Sequence, residues 1–449
     1  MKSSTKIGSS IQSVVLSISM LLSTSLLSAC GGDIHQETPD TPASFAVSHA
    51  MSTCFWQGPY GTSPADTNIA YPDSGATYWS AVFKVPTGTR VFLKGQFPYS
   101  RYISYNSYRT DNSPASALTD YQITPDAGST NPFVDGAIRY APARNYAVEV
   151  VPTAQAGAAA PNTLYADSDF GQTITIWYRV YAADKGADTT GGVGLPDLQV
   201  QQPDGTILTG AQACNVLSPA QTTLPGPVLP PATYSALRDQ PGKPAGFPGV
   251  NPAVWMAQYN SQYGLGCMFL GKCGGTPVRQ VAYFANLDNA YVTALISRAY
   301  GPVVVLHGRI PVTPKTFNNV ARMTSGQIRY WSMCTNEFYT QKGTSCLYDE
   351  QVPTDANGNY TIVVSRDADR PVNATTACGR GFLTWSDAGD GAGHTDDGLL
   401  IMRNMLPAAD FTNAIQNTKT PGDESAVIGP YLPDVSYTTK AAFEAQGCK

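Results

Sequence analysis

The chain has 449 residues, a formal net charge of −5 and a charged fraction of 14%. Soluble proteins usually carry about 25% charged residues, and charge-driven disorder requires a high net charge with low hydrophobicity. This class of disordered protein is therefore excluded. Because no basic surplus exists to neutralise phosphates, we expect no nucleic-acid partner. At roughly 100–200 residues per domain, the length predicts two domains.

Residues 1–29 have the pattern of a secretory signal peptide. Lys2 and Lys6 precede an apolar run that is interrupted by serine and too short for a stable membrane span. The run ends in Leu27-Ser-Ala-Cys30, which resembles the lipobox of bacterial lipoproteins. The resemblance implies acylation of Cys30, cleavage before it and anchoring to a membrane. An ordinary signal peptide with a nearby cysteine is the alternative.

The residues after Cys30 predict where the anchored protein resides. Gly31 occupies the position where an aspartate would, in lipoproteins, imply retention in the inner membrane. We therefore expect a lipid-anchored protein of the bacterial cell envelope, in the outer rather than the inner membrane. Residues 30–45 are polar and contain proline, so we expect a flexible tether.

Eight cysteines remain besides Cys30, and an even number in an exported chain predicts disulfides. Short spacings favour Cys267–Cys273 and Cys334–Cys346 as local clips of loops. The remaining pairs are then Cys54–Cys214, which brackets the first half, and Cys378–Cys448, which holds the tail, although the sequence allows other pairings. A metal site is less favoured because no Cys-x-x-Cys pair or matched histidine spacing occurs.

The two halves of the chain share a sequence pattern. Tyr78–Pro98 aligns without gaps with Tyr291–Pro311, and Arg101–Ser104 matches Arg329–Ser332. Further matches in the same order are Leu118–Ala127 with Leu347–Ala356, Tyr146–Val151 with Tyr360–Ser365, and Arg179 with Arg403. We therefore predict a tandem duplication.

Each repeat is rich in predicted strands. Thr173–Tyr181 alternates with period two. It places Ile174, Ile176, Tyr178 and Val180 on one face, and Trp177 and Arg179 on the other. Short strands separated by Gly, Pro and Asn are typical of antiparallel sandwiches and jelly rolls.

We predict a mostly β protein with tandem duplicated sandwich- or jelly-roll-like domains. The domains are expected at residues 46–216 and 258–449, with a proline-rich linker at 217–257. The predicted short helices are Ala232–Arg238, Ala253–Gln262, Phe411–Asn417 and Thr439–Gln446.

The second half carries motifs that resemble a known group of proteins. These are Asn286-Leu-Asp-Asn-Ala-Tyr291, the Pro302–Leu306 run that follows it, and Leu400–Pro407. They are similar to exported bacterial lipoproteins made of two adjacent β-rich domains of unknown function, in which Thr is common where this chain has Asn289. The resemblance implies a β-rich fold and no particular chemistry.

The densest group of polar side chains lies in a glycine-rich loop at residues 385–398. Five candidate ligands or catalytic groups occur there: Asp387, Asp390, His394, Asp396 and Asp397. Carboxylates that converge could bind Ca²⁺, and the histidine beside them could form an acid–base pair. The alternative is a solvated turn, because Asp-Gly is ordinary turn sequence. No established catalytic motif occurs elsewhere in the chain.

The repeats also place arginine beside aromatic residues at equivalent positions. The candidates are Arg101 and Tyr102 in the first repeat, and Arg329, Tyr330 and Trp331 in the second. Such a set could stack on a sugar or bind a carboxylate. Alternatively, the arginines tie strands together and the aromatic rings fill the core.

Three functions are compatible with these features. The first is an envelope lipoprotein that binds a glycan, a lipid or another small ligand through the surfaces of its sandwiches. The second is an envelope hydrolase that uses the Asp/His group of the 385–398 loop. The third is a structural lipoprotein that contacts a protein partner, and the fold class does not decide among them.

Overall fold

The computed structural model describes residues 54–224, 226, 229–244, 246–279 and 284–448. The signal peptide, Cys30 and the tether lie outside these residues. Within the described ranges the chain forms four sheets, two in each half, and only short helices. The predicted mostly β fold with two repeated halves is confirmed.

The first half consists of two five-stranded sheets. One has the strand order β1-β2-β8-β4-β5 and the other has the order β10-β9-β3-β6-β7. The strands are β1 Gln57–Tyr60, β2 Ala76–Lys84, β3 Arg90–Gln96, β4 Ser100–Tyr108, β5 Pro114–Thr119, β6 Asn145–Val151, β7 Thr163–Tyr165, β8 Thr173–Ala183, β9 Asp197–Gln201 and β10 Ile207–Thr209, followed by α1 Gly210–Leu217.

The second half repeats this arrangement after α2 Pro231–Arg238. Its sheets have the orders β11-β12-β18-β14-β15 and β17-β16-β13-β19. The elements are β11 Trp255–Ala257, α3 Ser261–Leu270, β12 Asn289–Ser297, β13 Val303–Arg309, β14 Tyr330–Asn336, β15 Gly343–Tyr348, β16 Asn359–Ser365, β17 Gly381–Thr384, β18 Asp397–Met405, α4 Glu424–Ile428, β19 Asp434–Thr438 and α5 Lys440–Glu444.

The strand registers of the two halves agree residue by residue with the sequence alignment. Tyr78 lies opposite Arg179 in the first half, and Tyr291 lies opposite Arg403 in the second. The parallel strand pairing is shared too, because β7 runs parallel to β6 as β17 does to β16. Equivalent residues can therefore be compared directly between the halves.

The two faces of β8 contact different parts of the molecule. Ile174, Ile176, Tyr178 and Val180 enter the core of the first half, as the alternation predicts. Trp177 points the other way, into an aromatic layer that also contains Tyr330 and Tyr348 of the second half. The outer faces of the two long sheets are thus packed together, so β8 and β18 are buried on both sides.

The segment between the halves differs in part from the sequence expectation. The helix predicted at 232–238 is present as α2, but no helix spans 253–262. Trp255–Ala257 instead pairs with β12 as an edge strand, so the second half begins within the range expected as linker. In the tail, α5 matches the predicted helix, whereas 411–417 contains only a short 3₁₀ turn at Ile415–Asn417.

All four predicted disulfides are present. Cys54–Cys214 and Cys378–Cys448 join distant segments, and Cys267–Cys273 closes a short loop. Cys334–Cys346 is a cross-strand bond between directly opposed residues of β14 and β15, and it closes the loop of this hairpin. Among the described residues, none forms a helix long and apolar enough to cross a membrane.

With Cys30 acylated, we expect thiol counting under denaturing, non-reducing conditions to find no free thiol in the mature protein.

Replacing Cys54 and Cys214 by Ser should lower stability most, because this bond closes a separation of 160 residues. In the chain-entropy model such a loop contributes about 5 kcal/mol, against about 2 kcal/mol for the loop of Cys267–Cys273. Chemical unfolding of both double variants measures the difference, and equal losses would contradict this ranking.

Candidate functional site

The arginines selected from the sequence link the two halves in a reciprocal way. Arg101 of the first half is fully buried, and its Nη1 lies 2.5 Å from Oδ2 of Asp349 in the second half. Arg329 of the second half lies 3.4 Å from Oδ1 of Asp120 in the first half. Since Asp120 and Asp349 occupy equivalent positions of the repeat, each half supplies one arginine and one carboxylate to the other.

Two of the three aromatic candidates, Tyr102 and Tyr330, take part in the same contact between the halves. Tyr102 donates a hydrogen bond to Asp288 (2.6 Å) and accepts one from Nδ2 of Asn286 (2.9 Å), and the equivalent Tyr330 donates one to Asp73 (3.1 Å). Trp331 is fully buried in the core of the second half. All five residues therefore have structural contacts, as expected if the arginines tie the fold together and the aromatic rings fill its interior. The arginines, however, join the two halves of the molecule rather than neighbouring strands.

The 385–398 loop is partly buried, and it divides its polar residues into two groups. Asp390 is fully buried and its Oδ2 lies 2.6 Å from His394 Nδ1. Asp397 starts β18, and its Oδ2 accepts a hydrogen bond from Nε of Arg238 in α2 (2.7 Å) and lies 2.7 Å from Nη2 of the same guanidinium. Asp390, His394 and Asp397 bring one ligand atom each within 4.8 Å of one another.

The other two carboxylates of the loop point away from this group. Asp387 is 90% exposed and pairs with Arg366, and Asp396 is 62% exposed and lies 3.6 Å from Arg298. Ca²⁺ prefers six to eight oxygen ligands, and the oxygens of Asp390 already accept hydrogen bonds within the loop. Calcium binding here therefore stays a prediction.

The Asp390–His394 pair has the geometry of an acid–base dyad. The carboxylate orients the imidazole as in hydrolases that activate a nucleophile. Within the described residues, however, no hydroxyl or thiol is hydrogen-bonded to the His394 ring. The ring of Tyr234 packs edge-to-face with the imidazole, with 5.7 Å between the ring centroids. A second group, Asp73 with Cys334 and Cys346, is not a metal site because its two sulfurs are bonded to each other.

A cavity that the sequence analysis did not identify lies between the two halves. It has a volume of about 70 Å³, and both Arg179 and Arg403 line it. These arginines occupy the same position on the central strands β8 and β18 of the two facing sheets. The aromatic residues of its wall are Tyr60, Tyr78, Trp177, Tyr181, Phe284 and Tyr291.

Each cavity arginine is held by a backbone carbonyl of the opposite half. Nη2 of Arg179 donates to the carbonyl of Phe284 (2.6 Å), and Nη2 of Arg403 donates to that of Tyr71 (2.7 Å). Tyr71 and Phe284 are equivalent residues, and both adopt left-handed backbone, with φ of 54° and 51°. Non-glycine residues hold this conformation only where the surroundings enforce it, so the two carbonyls are held in place by the fold.

Two N–H donors at the cavity wall have no hydrogen-bond partner among the described residues. They are Nη1 of Arg179 and Nε1 of Trp177, both buried. Buried polar groups are nearly always satisfied, so unpaired donors at a cavity indicate a missing acceptor. The recurrence of Arg179 and Arg403 at matched positions was the sequence signal for this site, but their meeting at one cavity depends on how the halves pack.

The buried carboxylate Asp120 should make stability depend on pH in an unusual direction. Burial raises the pKa of Asp120 to about 7, although Arg329 lowers it in part. The folded state therefore binds this proton more tightly than the unfolded state, whose aspartate pKa is about 4. Asp120 should thus contribute increasing stability as the pH falls from about 8 to about 5, by at most about 1.4 kcal/mol per pH unit.

Urea unfolding of wild type and Asp120→Asn across this pH range measures the contribution. We expect the stability difference between them to change with pH, with the variant relatively most stable at the alkaline end. The same substitution at the exposed Asp135 is the control. Parallel pH profiles of wild type and Asp120→Asn would contradict the assignment.

Comparison with known proteins gives structural neighbours only. No model of a protein family and no curated protein matches this chain. An uncharacterised protein from Burkholderia cenocepacia is 12% identical, with a TM-score of 0.44, over 87% of this chain and 83% of its own. A protein from Vibrio parahaemolyticus is 10% identical, with a TM-score of 0.37, over 82% of this chain and 90% of its own.

Proposed function

We propose that this chain is a lipid-anchored protein of the bacterial cell envelope that binds a small ligand between its two halves. The observation that carries the proposal is the cavity, in which two repeat-equivalent arginines meet beside unpaired buried donors. Ligand pockets typically combine apolar and aromatic walls with a few fixed polar groups. A volume of about 70 Å³ suits a small molecule better than a glycan chain or an acyl chain.

The envelope location is supported by the sequence and by the disulfides. Leu27-Ser-Ala-Cys30 supplies the lipobox-like site of acylation. The structure contains four disulfides. Disulfides form and persist in oxidising compartments, which lie outside the cytoplasm. A lipid-anchored protein whose two halves lie outside the cytoplasm accounts for both the lipobox-like sequence and the disulfides within each half.

The anchor is tested by replacing Cys30 with Ser. We expect the variant to lose incorporation of a palmitate analogue and to retain its signal peptide, because the serine hydroxyl does not replace the thiol in lipoprotein acylation. Metabolic labelling followed by capture of the protein measures this directly. Wild-type labelling in the Cys30→Ser variant would contradict lipid attachment at this residue.

The ligand site is tested by a thermal-shift screen of small polar compounds on the mature, unacylated protein. A ligand at 100 times its dissociation constant stabilises the fold by about 2.7 kcal/mol, which raises the melting temperature by several degrees. Ala285, which lines the cavity, is the position to fill: Ala285→Leu should abolish the shift. The exposed Ala156→Leu is the matched control.

A screen in which no compound gives an Ala285-sensitive shift would overturn binding in the cavity. It would leave the structural, partner-binding lipoprotein as the function to pursue.

A further inference from the structure

The two cavity arginines differ in one respect that the repeat makes visible. Arg403 has a carboxylate nearby, since its Nη1 lies 3.7 Å from Oδ2 of Asp73. Asp73 precedes Tyr78 by the same number of residues as Asn286 precedes Tyr291. The equivalent position beside Arg179 therefore carries a neutral amide, and Asn286 lines the cavity.

Arg179 consequently makes only neutral contacts. Its Nη2 donates to the hydroxyl of Tyr108 and the carbonyl of Phe284, and it forms no ion pair with any part of the chain that the structure describes. The Trp177 ring lies 5.4 Å from its guanidinium carbon, which supplies a cation–π contact but no acceptor for Nη1. Burying a guanidinium is strongly unfavourable unless an anion pairs with it. The pairing anion can come from a bound ligand.

Asp288 is the carboxylate that could replace Asp73 in the second repeat, since it lies two residues beyond Asn286. Its Oδ2 accepts hydrogen bonds from Tyr102 and Thr119, both at 2.6 Å, so it faces those hydroxyls. Burial raises the pKa of Asp288 even though Arg179 acts to lower it. Asp288 therefore does not hydrogen-bond to Arg179, and the acceptor for Nη1 is still missing.

We propose that the cavity binds a small organic carboxylate, whose oxygens accept hydrogen bonds from Arg179 Nη1 and Trp177 Nε1. This rests on the proposed function and names its ligand class. A carboxylate has two oxygens in one plane and matches a guanidinium edge. Its organic part would pack against the aromatic wall, in which the rings of Tyr60 and Phe284 are both stacked on Trp177.

Size and charge separate this ligand class from inorganic anions. The volume of about 70 Å³ exceeds what one water requires, which is about 10–15 Å³, and so admits a molecule near the size of acetate or propionate. Phosphate would bring more acceptor oxygens than the two unpaired donors can satisfy, and more negative charge beside Asp73 and Asp288. Gln258, which also lines the cavity, offers an amide that can serve as donor or acceptor.

The test is calorimetric titration of the mature, unacylated protein with acetate and propionate, and separately with phosphate, at fixed ionic strength set by chloride. We expect saturable binding of the carboxylates and none of phosphate. Arg179→Met should weaken carboxylate binding at least about tenfold, as expected for the loss of a hydrogen bond to a charged group. Arg90→Met, at an exposed arginine, should leave it unchanged.

Asn286→Asp keeps Arg179 in place and so guards against a folding defect of the first variant. It introduces the carboxylate that the first repeat has at Asp73, and we expect it to weaken carboxylate binding by supplying an internal counter-ion. Carboxylate binding that survives both Arg179→Met and Asn286→Asp would overturn the proposal, as would tighter binding of phosphate.

The outcomes also separate this proposal from the proposed function. An Ala285-sensitive neutral ligand, with no carboxylate bound, would overturn the carboxylate and leave ligand binding in the cavity standing. The absence of any Ala285-sensitive ligand would overturn both.

Discussion

The arrangement of the two halves depends on the burial of arginines between two sheets. A guanidinium is always charged, and placing it away from water is tolerated only where an acceptor meets it. Arg101 meets Asp349 across the contact and Arg329 meets Asp120. Breaking a fully buried pair by removing one partner commonly costs about 3–5 kcal/mol. These contacts therefore constrain how one sheet is placed on the other, because any displacement would separate charge from counter-charge.

The reciprocity of these contacts follows from the duplication. Two copies of one sequence that pack through the same face resemble an isologous dimer, in which each copy gives the other what it receives. Tyr71 and Phe284 illustrate this, because both turn a carbonyl toward the cavity arginine of the opposite half. The contact between the halves is therefore part of what the repeat encodes.

Fusion into one chain allows the two copies to diverge, and the cavity lies where they have done so. Asp73 beside Arg403 and Asn286 near Arg179 differ by a single charge at equivalent positions. In a homodimer the two copies would be identical, so both would carry the aspartate or both would carry the asparagine. The asymmetry leaves one buried guanidinium with an unpaired donor, and this donor is the basis for the proposed ligand.

From the sequence alone, the duplication, the mostly β fold, the two short-range disulfides and the two faces of β8 could be predicted. These features arise from local spacing, from period-two alternation or from matched order along the chain, all of which are visible in one dimension. The sequence does not show what covers the second face of β8, since an aromatic residue there is equally suited to a core, an interface or a ligand site. Arg101 and Arg329 are for this reason open to two interpretations. The helix expected at Ala253–Gln262 is wrong at Trp255–Ala257, because these residues pair with β12, a partner more than 30 residues away that the local sequence does not indicate. Only the packing of the halves brings Arg179 and Arg403 to one cavity, because the contacts that place them there join residues far apart in the chain.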